Sequence, residues 1–267
     1  MRRLLPLGLL LLPLVLVVSA VMGDTDAGGA GSPNPDIQKI IAANEQFTYE
    51  VRYGFLRLGN VYVYLNGNTV HRGTEVVHMV TEMVSNSRIP LVGYREHHYH
   101  NYIGVNDRLP YGLRFWHNSI HDQRLEHYLY EFDYEAGYVY VYVDGERYNT
   151  VPLDQPADGG SVLMHYARLF AGTDQKRTFP ICIGYDLSDV QMSFSSEAIP
   201  FESPAFPDTT IKAFAMEGFA DFEGPFGFSG DFTAYFMDDE LRIPLEVRVS
   251  IFLGSVRVRL TEYERLN

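Results

Sequence analysis

From Phe47 onward, apolar and polar side chains alternate with a period of two along most of the chain. In "FTYEVRYGF", Phe47, Tyr49, Val51 and Tyr53 fall on one side, and Thr48, Glu50 and Arg52 on the other. That is the signature of a strand with one buried and one wet face. The pattern returns in "NVYVYLNG", "TEVVHMVTEMV", "RLEHYLYEFDY", "GYVYVYVDGERY", "DVQMSFSS" and "TIKAFAMEGF", and again in "GDFTAYFMDD", "IPLEVRVSIF" and "SVRVRLTEYE". The breaks "NGN", "EAG", "VDGE", "MDDE" and "FLGS" are turn chemistry, and short breaks imply hairpins with antiparallel pairing. One segment departs from the rule. In "GGSVLMHYARLFAG", Val162, Leu163, Tyr166, Leu169 and Phe170 recur at helical spacing, with Gly172 as a stop signal. The expected fold is therefore mostly β: about ten strands in a single curved antiparallel sheet, a half-barrel or open barrel, with one helix packed on it as a lid or plug.

The segment ahead of this domain has a different texture. "MRRLLPLGLLLLPLVLVVSAVMG" places two arginines before a long apolar run that ends in small residues, the layout of a secretory signal peptide over residues 1–23, with cleavage after Ala20 or Gly23. Read as an uncleaved anchor, the run approaches the roughly 20 residues needed to span a bilayer, but Pro6 and Pro13 interrupt it. Residues 24–46 read as a flexible Gly-, Pro- and Asp-rich linker with a short helix at "IQKIIAANEQ", and residues 47–267 as one β-rich domain. The expected address is the periplasm or the outer-membrane periphery of a bacterium.

Composition narrows the chemistry. A formal charge of −13 opposes binding to phosphate backbones, so nucleic-acid partners are excluded. A lone cysteine, Cys182, rules out an internal disulfide framework. Between isoleucines in "FPICIGYDL" it reads as a small buried hydrophobe rather than a catalytic thiol. There is no Gly-x-Ser-x-Gly elbow, His-Glu-x-x-His or Walker loop, and the carboxylates cluster at turns or alternate with apolar residues as on solvated faces.

Several stretches resemble a bacterial exported family, the domain of unknown function 3108. They are "FTYEVRYGFLRLGN", "YEFDYEAGYVYV", the helix "SVLMHYARLF" and above all "GDFTAYFMDDELRIPLEVRVSIFLGSVRVRL". The resemblance covers residues 47 to 264 and implies an export-linked, β-rich envelope protein with no assigned catalytic residues. It also suggests an architecture similar to the half-barrels of lipoprotein-carrier proteins, in which a curved sheet and a helix enclose an apolar hollow.

The stretch "REHHYHNYIG" departs from that family pattern. On a strand, His98 and His100 share a face with Glu96, and two imidazoles at i and i+2 can converge on zinc if a neighbouring strand supplies a third ligand, for which His117 is the first candidate and His121 and His127 are the others. The plainer alternative is the wet side of a strand. The aromatic residues are expected to be core for the most part, with some lining a hollow whose mouth is placed at Trp116, Met164 and Phe170. The leading functional reading is a non-enzymatic binder of an apolar, lipid-like ligand. The alternatives are a cell-envelope assembly factor acting through protein contacts and, third, a metal-dependent hydrolase built on the histidine cluster.

Overall fold

The computed structural model describes residues 33–89, 94–121, 124–183, 186–222, 230–251 and 254–266. The expected signal peptide and residues 24–32 of the linker lie outside them. Where the short linker helix was expected, α1 spans Ile37–Ala42, capped by the Asp36 carboxylate, which accepts the Lys39 N–H, and it buries Ile37 and Ile40.

Fourteen strands follow. They are β1 (Glu45–Tyr53), β2 (Leu56–His71), β3 (Thr74–Ser85), β4 (Arg95–Asn106), β5 (Leu109–His121), β6 (Arg124–Asp133), β7 (Tyr138–Val143) and β8 (Glu146–Pro152). After the second helix, α2 (Leu163–Arg168), come β9 (Lys176–Ile183), β10 (Asp186–Phe201), β11 (Ile211–Ala220), β12 (Gly230–Met237), β13 (Pro244–Ile251) and β14 (Gly254–Arg265). All belong to one antiparallel sheet in the order β8-β7-β6-β5-β4-β3-β2-β1-β14-β13-β12-β11-β10-β9. The first and last strands pair at its centre, and its two edges are consecutive in the chain. The sheet is not closed by pairing of β8 with β9.

Alternation does what the sequence promised. In β1, Glu45, Phe47, Tyr49 and Val51 are buried while their neighbours are half-buried. Tight turns form at Arg72-Gly73, Asp107-Arg108 and Asp144-Gly145, each pair at positive φ as a two-residue hairpin turn demands. The "NGN" turn is a correction. Asn66 and Gly67 lie inside β2, where the pairing with β3 shifts between Leu65 and Asn68. Gly67 adopts φ +77° there, so the dipeptide forms a bulge and the reversal waits for Arg72-Gly73. The strand count is also higher than expected, because β5, β8 and β9 carry weaker alternation. Both described helices, α1 and α2, lie in the two segments where helix was expected.

The connection from β8 to α2 draws the sheet's edges together. Asp158 bridges Ile181 of β9 in parallel: its N–H donates to the Pro180 carbonyl at 3.3 Å, and Cys182 N–H donates to its carbonyl at 2.7 Å. One residue earlier, the Ala157 carbonyl accepts the Gly112 N–H of β5 at 2.9 Å. This strap therefore ties the β9 edge to the middle of the opposite wing. Cys182 consequently packs with Phe115, Val139 and Val151 of β5, β7 and β8, and the sheet curls into an open, barrel-like form. Beneath the strap only glycine fits at position 159, since a Cβ would lie 2.1 Å from the Phe115 ring. Inside the curl, Tyr166 of α2 packs on Phe179 at 4.6 Å, and Phe170 contacts Tyr166 and Phe194.

Candidate functional site

The two ends of α2 meet different surroundings. At the N-terminal end, the segment from Gly159 to Met164 overlooks a hollow of about 430 Å³ on the concave face of the sheet. Val63, Met79 and Met83 form one wall, Phe115 and Tyr130 another, and Ile181 and Cys182 a third. Among the described residues, no Lys, Arg, Asp or Glu side chain lines it. The polar groups at its wall are Thr81, Ser161, His117, Cys182 and tyrosine hydroxyls.

Burial governs those groups. His117 stacks on Tyr128 at 4.5 Å with nearly parallel rings. Its pKa is lowered to about 4, first by burial and then by the positive charge of His97 and His127, so the imidazole is neutral at neutral pH. Burial also pushes the Tyr99 hydroxyl up. The Cys182 thiol rises to about 12, through burial first and then the negative charge of Asp186 and Asp158, which keeps it a thiol rather than a nucleophilic thiolate. The hollow therefore offers an uncharged surface with few hydrogen-bonding groups.

At the C-terminal end α2 is clamped by buried ions. Arg168 is fully buried; its Nη2 donates to Glu45 Oε2 at 2.6 Å, its Nε to the Leu241 carbonyl at 2.8 Å, and its Nη1 faces His165 Nδ1 at 3.3 Å. Tyr263 donates to the other Glu45 oxygen at 2.8 Å. A second buried arginine, Arg242, donates to the Ala171 carbonyl at 3.0 Å, the Asp239 carbonyl at 2.6 Å and Asn34 Oδ1 at 3.1 Å, and lies 4.7 Å over the Phe214 ring. Paired and fully hydrogen-bonded, these charges lock the helix to β1, to the turn before β13 and to the segment preceding α1.

The structure separates the residues singled out in the sequence. Met164 lines the hollow. Phe170 sits one turn further on, packed in the aromatic core against Tyr166 and Phe194. Trp116 points to the opposite face, because its neighbours Phe115 and His117 point into the hollow and side chains alternate along a strand. The zinc trio divides in the same way. His100 pairs across the ladder with Trp116 and His98 with Asn118 on the outer face, whereas His117 pairs with Tyr99 on the concave one. An ion held by His98 and His100 is out of reach of His117, so the three do not form one site. His98 is engaged by Glu96 Oε1 at 2.6 Å. Among the described residues, no group of three or more His, Cys, Asp or Glu side chains is arranged to hold a metal ion.

A second depression, of about 500 Å³, lies over the loop from Glu202 to Thr210 and Arg259. It is a polar surface dent formed largely by one loop, so the hollow beside α2 is the stronger candidate. Sequence reasoning missed most of that hollow's wall: Val63, Met79 and Phe115 each read as ordinary inward-facing strand residues.

Comparison with known proteins follows the fold. A solved structure described as a beta-barrel-like protein of domain of unknown function DUF1849 from Brucella abortus superposes with a TM-score of 0.56, covering 89% of this chain and 100% of that one at 13% identity. At that identity the likeness shows the architecture alone. No curated protein matches the chain. The family model described as "Protein of unknown function (DUF3108)" matches residues 48–261, which span the sheet from β1 into β14, and the chain belongs to that family.

Proposed function

We propose that this is a non-enzymatic binding protein whose hollow beside α2 holds one apolar, uncharged molecule or the acyl part of an amphiphile. The observation that carries this reading is a half-open hollow whose wall, among the described residues, is made mainly of aliphatic, methionine and aromatic side chains without a formal charge, next to a helix fixed firmly at its other end. Its size limits the occupant. At roughly 30 Å³ for a group of water's size, 430 Å³ accommodates about fourteen carbons, a single chain rather than a multi-chain lipid. A neutral His117 and a protonated Cys182 give no counter-charge, so a charged headgroup would remain outside. The signal-like N-terminal pattern supports an exported protein of the bacterial envelope, where such molecules are abundant.

The test is native mass spectrometry and organic extraction of the purified full chain, with displacement of a fluorescent apolar probe as a second measurement. Co-purification of a single-chain lipid, or probe binding that a lining substitution such as Val63→Phe removes, is expected. A protein that carries nothing, and whose affinity for the probe is the same in wild type and Val63→Phe, defeats the reading. The envelope-assembly reading rests on a different feature: the edge of β8 that pairs with no strand among the described residues. Crosslinking to a protein partner through Tyr148 or Thr150, with the hollow empty, would favour it.

A further inference from the structure

The outer face of β3, β4 and β5 carries a group of rings that the hollow does not use. His78 Nε2 and His100 Nδ1 stand 3.2 Å apart. Both imidazoles stack on Trp116, His100 at 4.9 Å and 12°, His78 at 5.4 Å and 23°, and Tyr102 closes against the same indole edge-on at 4.9 Å. The other nitrogen of His78, Nδ1, lies 3.2 Å from the side-chain amide of Asn66. Asn66 reaches it because the bulge in β2 sets Asn66 and Gly67 opposite the single residue His78.

We infer that His78 Nε2 and His100 Nδ1 form a two-imidazole chelate for a borderline divalent transition-metal ion of the zinc or copper(II) class, with water completing its coordination. Two nitrogens each about 2.0–2.1 Å from a tetrahedral ion stand about 3.3–3.4 Å apart, close to the separation already present. Imidazole nitrogen suits zinc, copper and nickel rather than calcium or magnesium. The rings are pre-positioned by stacking on Trp116, so binding does not have to order two free side chains. Asn66 supplies the outer partner such a ligand needs: with its amide oriented oxygen-first, it accepts the Nδ1–H of His78 and leaves Nε2 free to bind the ion. Two protein ligands leave coordination positions open to water or to a ligand from elsewhere. The pair also differs from the divided trio, since both of its nitrogens lie on one face of the sheet.

The chain contains one tryptophan, and it is the ring beneath both ligands, so its emission reports this site directly. Copper(II) alone is titrated into the full metal-free chain near pH 7.5, following Trp116 fluorescence and the electron paramagnetic resonance spectrum. Saturable one-to-one quenching in the micromolar range is expected, with hyperfine structure from two nitrogens and displacement only by a large excess of zinc, which a two-imidazole site holds more weakly than copper(II). His78→Gln and His100→Gln should each weaken binding about tenfold or more, while His97→Gln, on the opposite face, should leave it unchanged. Circular dichroism checks that the variants fold, and the nitrogen count in the wild-type spectrum stands independently of them. Quenching that is undiminished in both variants, a spectrum without two nitrogen donors, or copper binding that leaves Trp116 emission unchanged would each overturn the assignment.

Discussion

The two ends of α2 differ in kind. Its C-terminal end is a closed network of Arg168, Glu45, Tyr263, Arg242 and backbone carbonyls, in which removal of any one group strands another in a dry interior. Its N-terminal end meets an uncharged hollow in which the same six-residue helix contributes only Leu163 and Met164. A helix this short has little stability of its own. The clamp therefore supplies the rigidity that allows the other end to stand beside empty space without collapsing into it. The contrast teaches that a hollow in a sheet protein can be kept open by rigid polar contacts elsewhere on the same element.

Breaking the clamp should have the largest effect. Arg168→Leu leaves the Glu45 carboxylate buried without its cation, and chemical denaturation should show a loss of about 3–5 kcal/mol. Probe binding should weaken as well, because α2 loses its anchor; unchanged affinity would separate the two ends that the comparison joins.

Acid should come next, and it touches both ends. An unfolded histidine takes its proton near pH 6.5, whereas His117 beside the hollow does so only at about 4 and His165 beside Arg168 only at about 3. Burial is the main cause for both; Arg168's charge adds to it at His165. Between those values the unfolded state binds more protons, so stability is full above about pH 6.5 and declines as the pH falls through 4 and then 3. His117 should account for about 3 kcal/mol of that loss. In melts from pH 7.5 to 3, His117→Phe should flatten the decline between about 6.5 and 4, and His165→Phe should flatten it over the whole span from about 6.5 to 3.

Packing tests give smaller effects of opposite meaning. Val63→Phe grows into the hollow and should change stability by no more than about 1 kcal/mol while abolishing probe binding. Ala167→Leu, in the filled core around α2, should cost about 1–3 kcal/mol. Equal costs at the two positions would mean that the hollow is not room for a ligand. The smallest effect should come from Trp116→Phe: on the far face of β5, it should leave probe affinity unchanged.

Much of this was legible in the sequence, and the reason is geometric. Side chains on a strand alternate with period two, so Phe47, Tyr49 and Val51 announced their shared face without knowledge of any partner. The helix at Leu163–Arg168, the linker helix and the hairpin turn at Asp144-Gly145 were readable for the same local reason. "NGN" misled because Asn-Gly suits a hairpin turn and a bulge alike, and the choice depends on whether the strand beyond it finds a partner. The site was less legible. Met164 was placed at the hollow, but Trp116 and Phe170 were not distinguished from it, since aromatic character does not reveal which face a residue takes or how far along a wall it stands.

The sequence by itself determined the mostly β fold, the antiparallel pairing and the acidic character, because each follows from neighbours within a few residues or from a sum over all of them. Only the tertiary structure decided that the Ala157–Asp158 strap curls the sheet, that Arg168 meets Glu45 across 123 positions, and that His117 parts from His98 and His100 while His78 joins His100. Those facts depend on register and curvature across strands distant in the chain. A shift of one residue in register would turn each of those side chains to the other face.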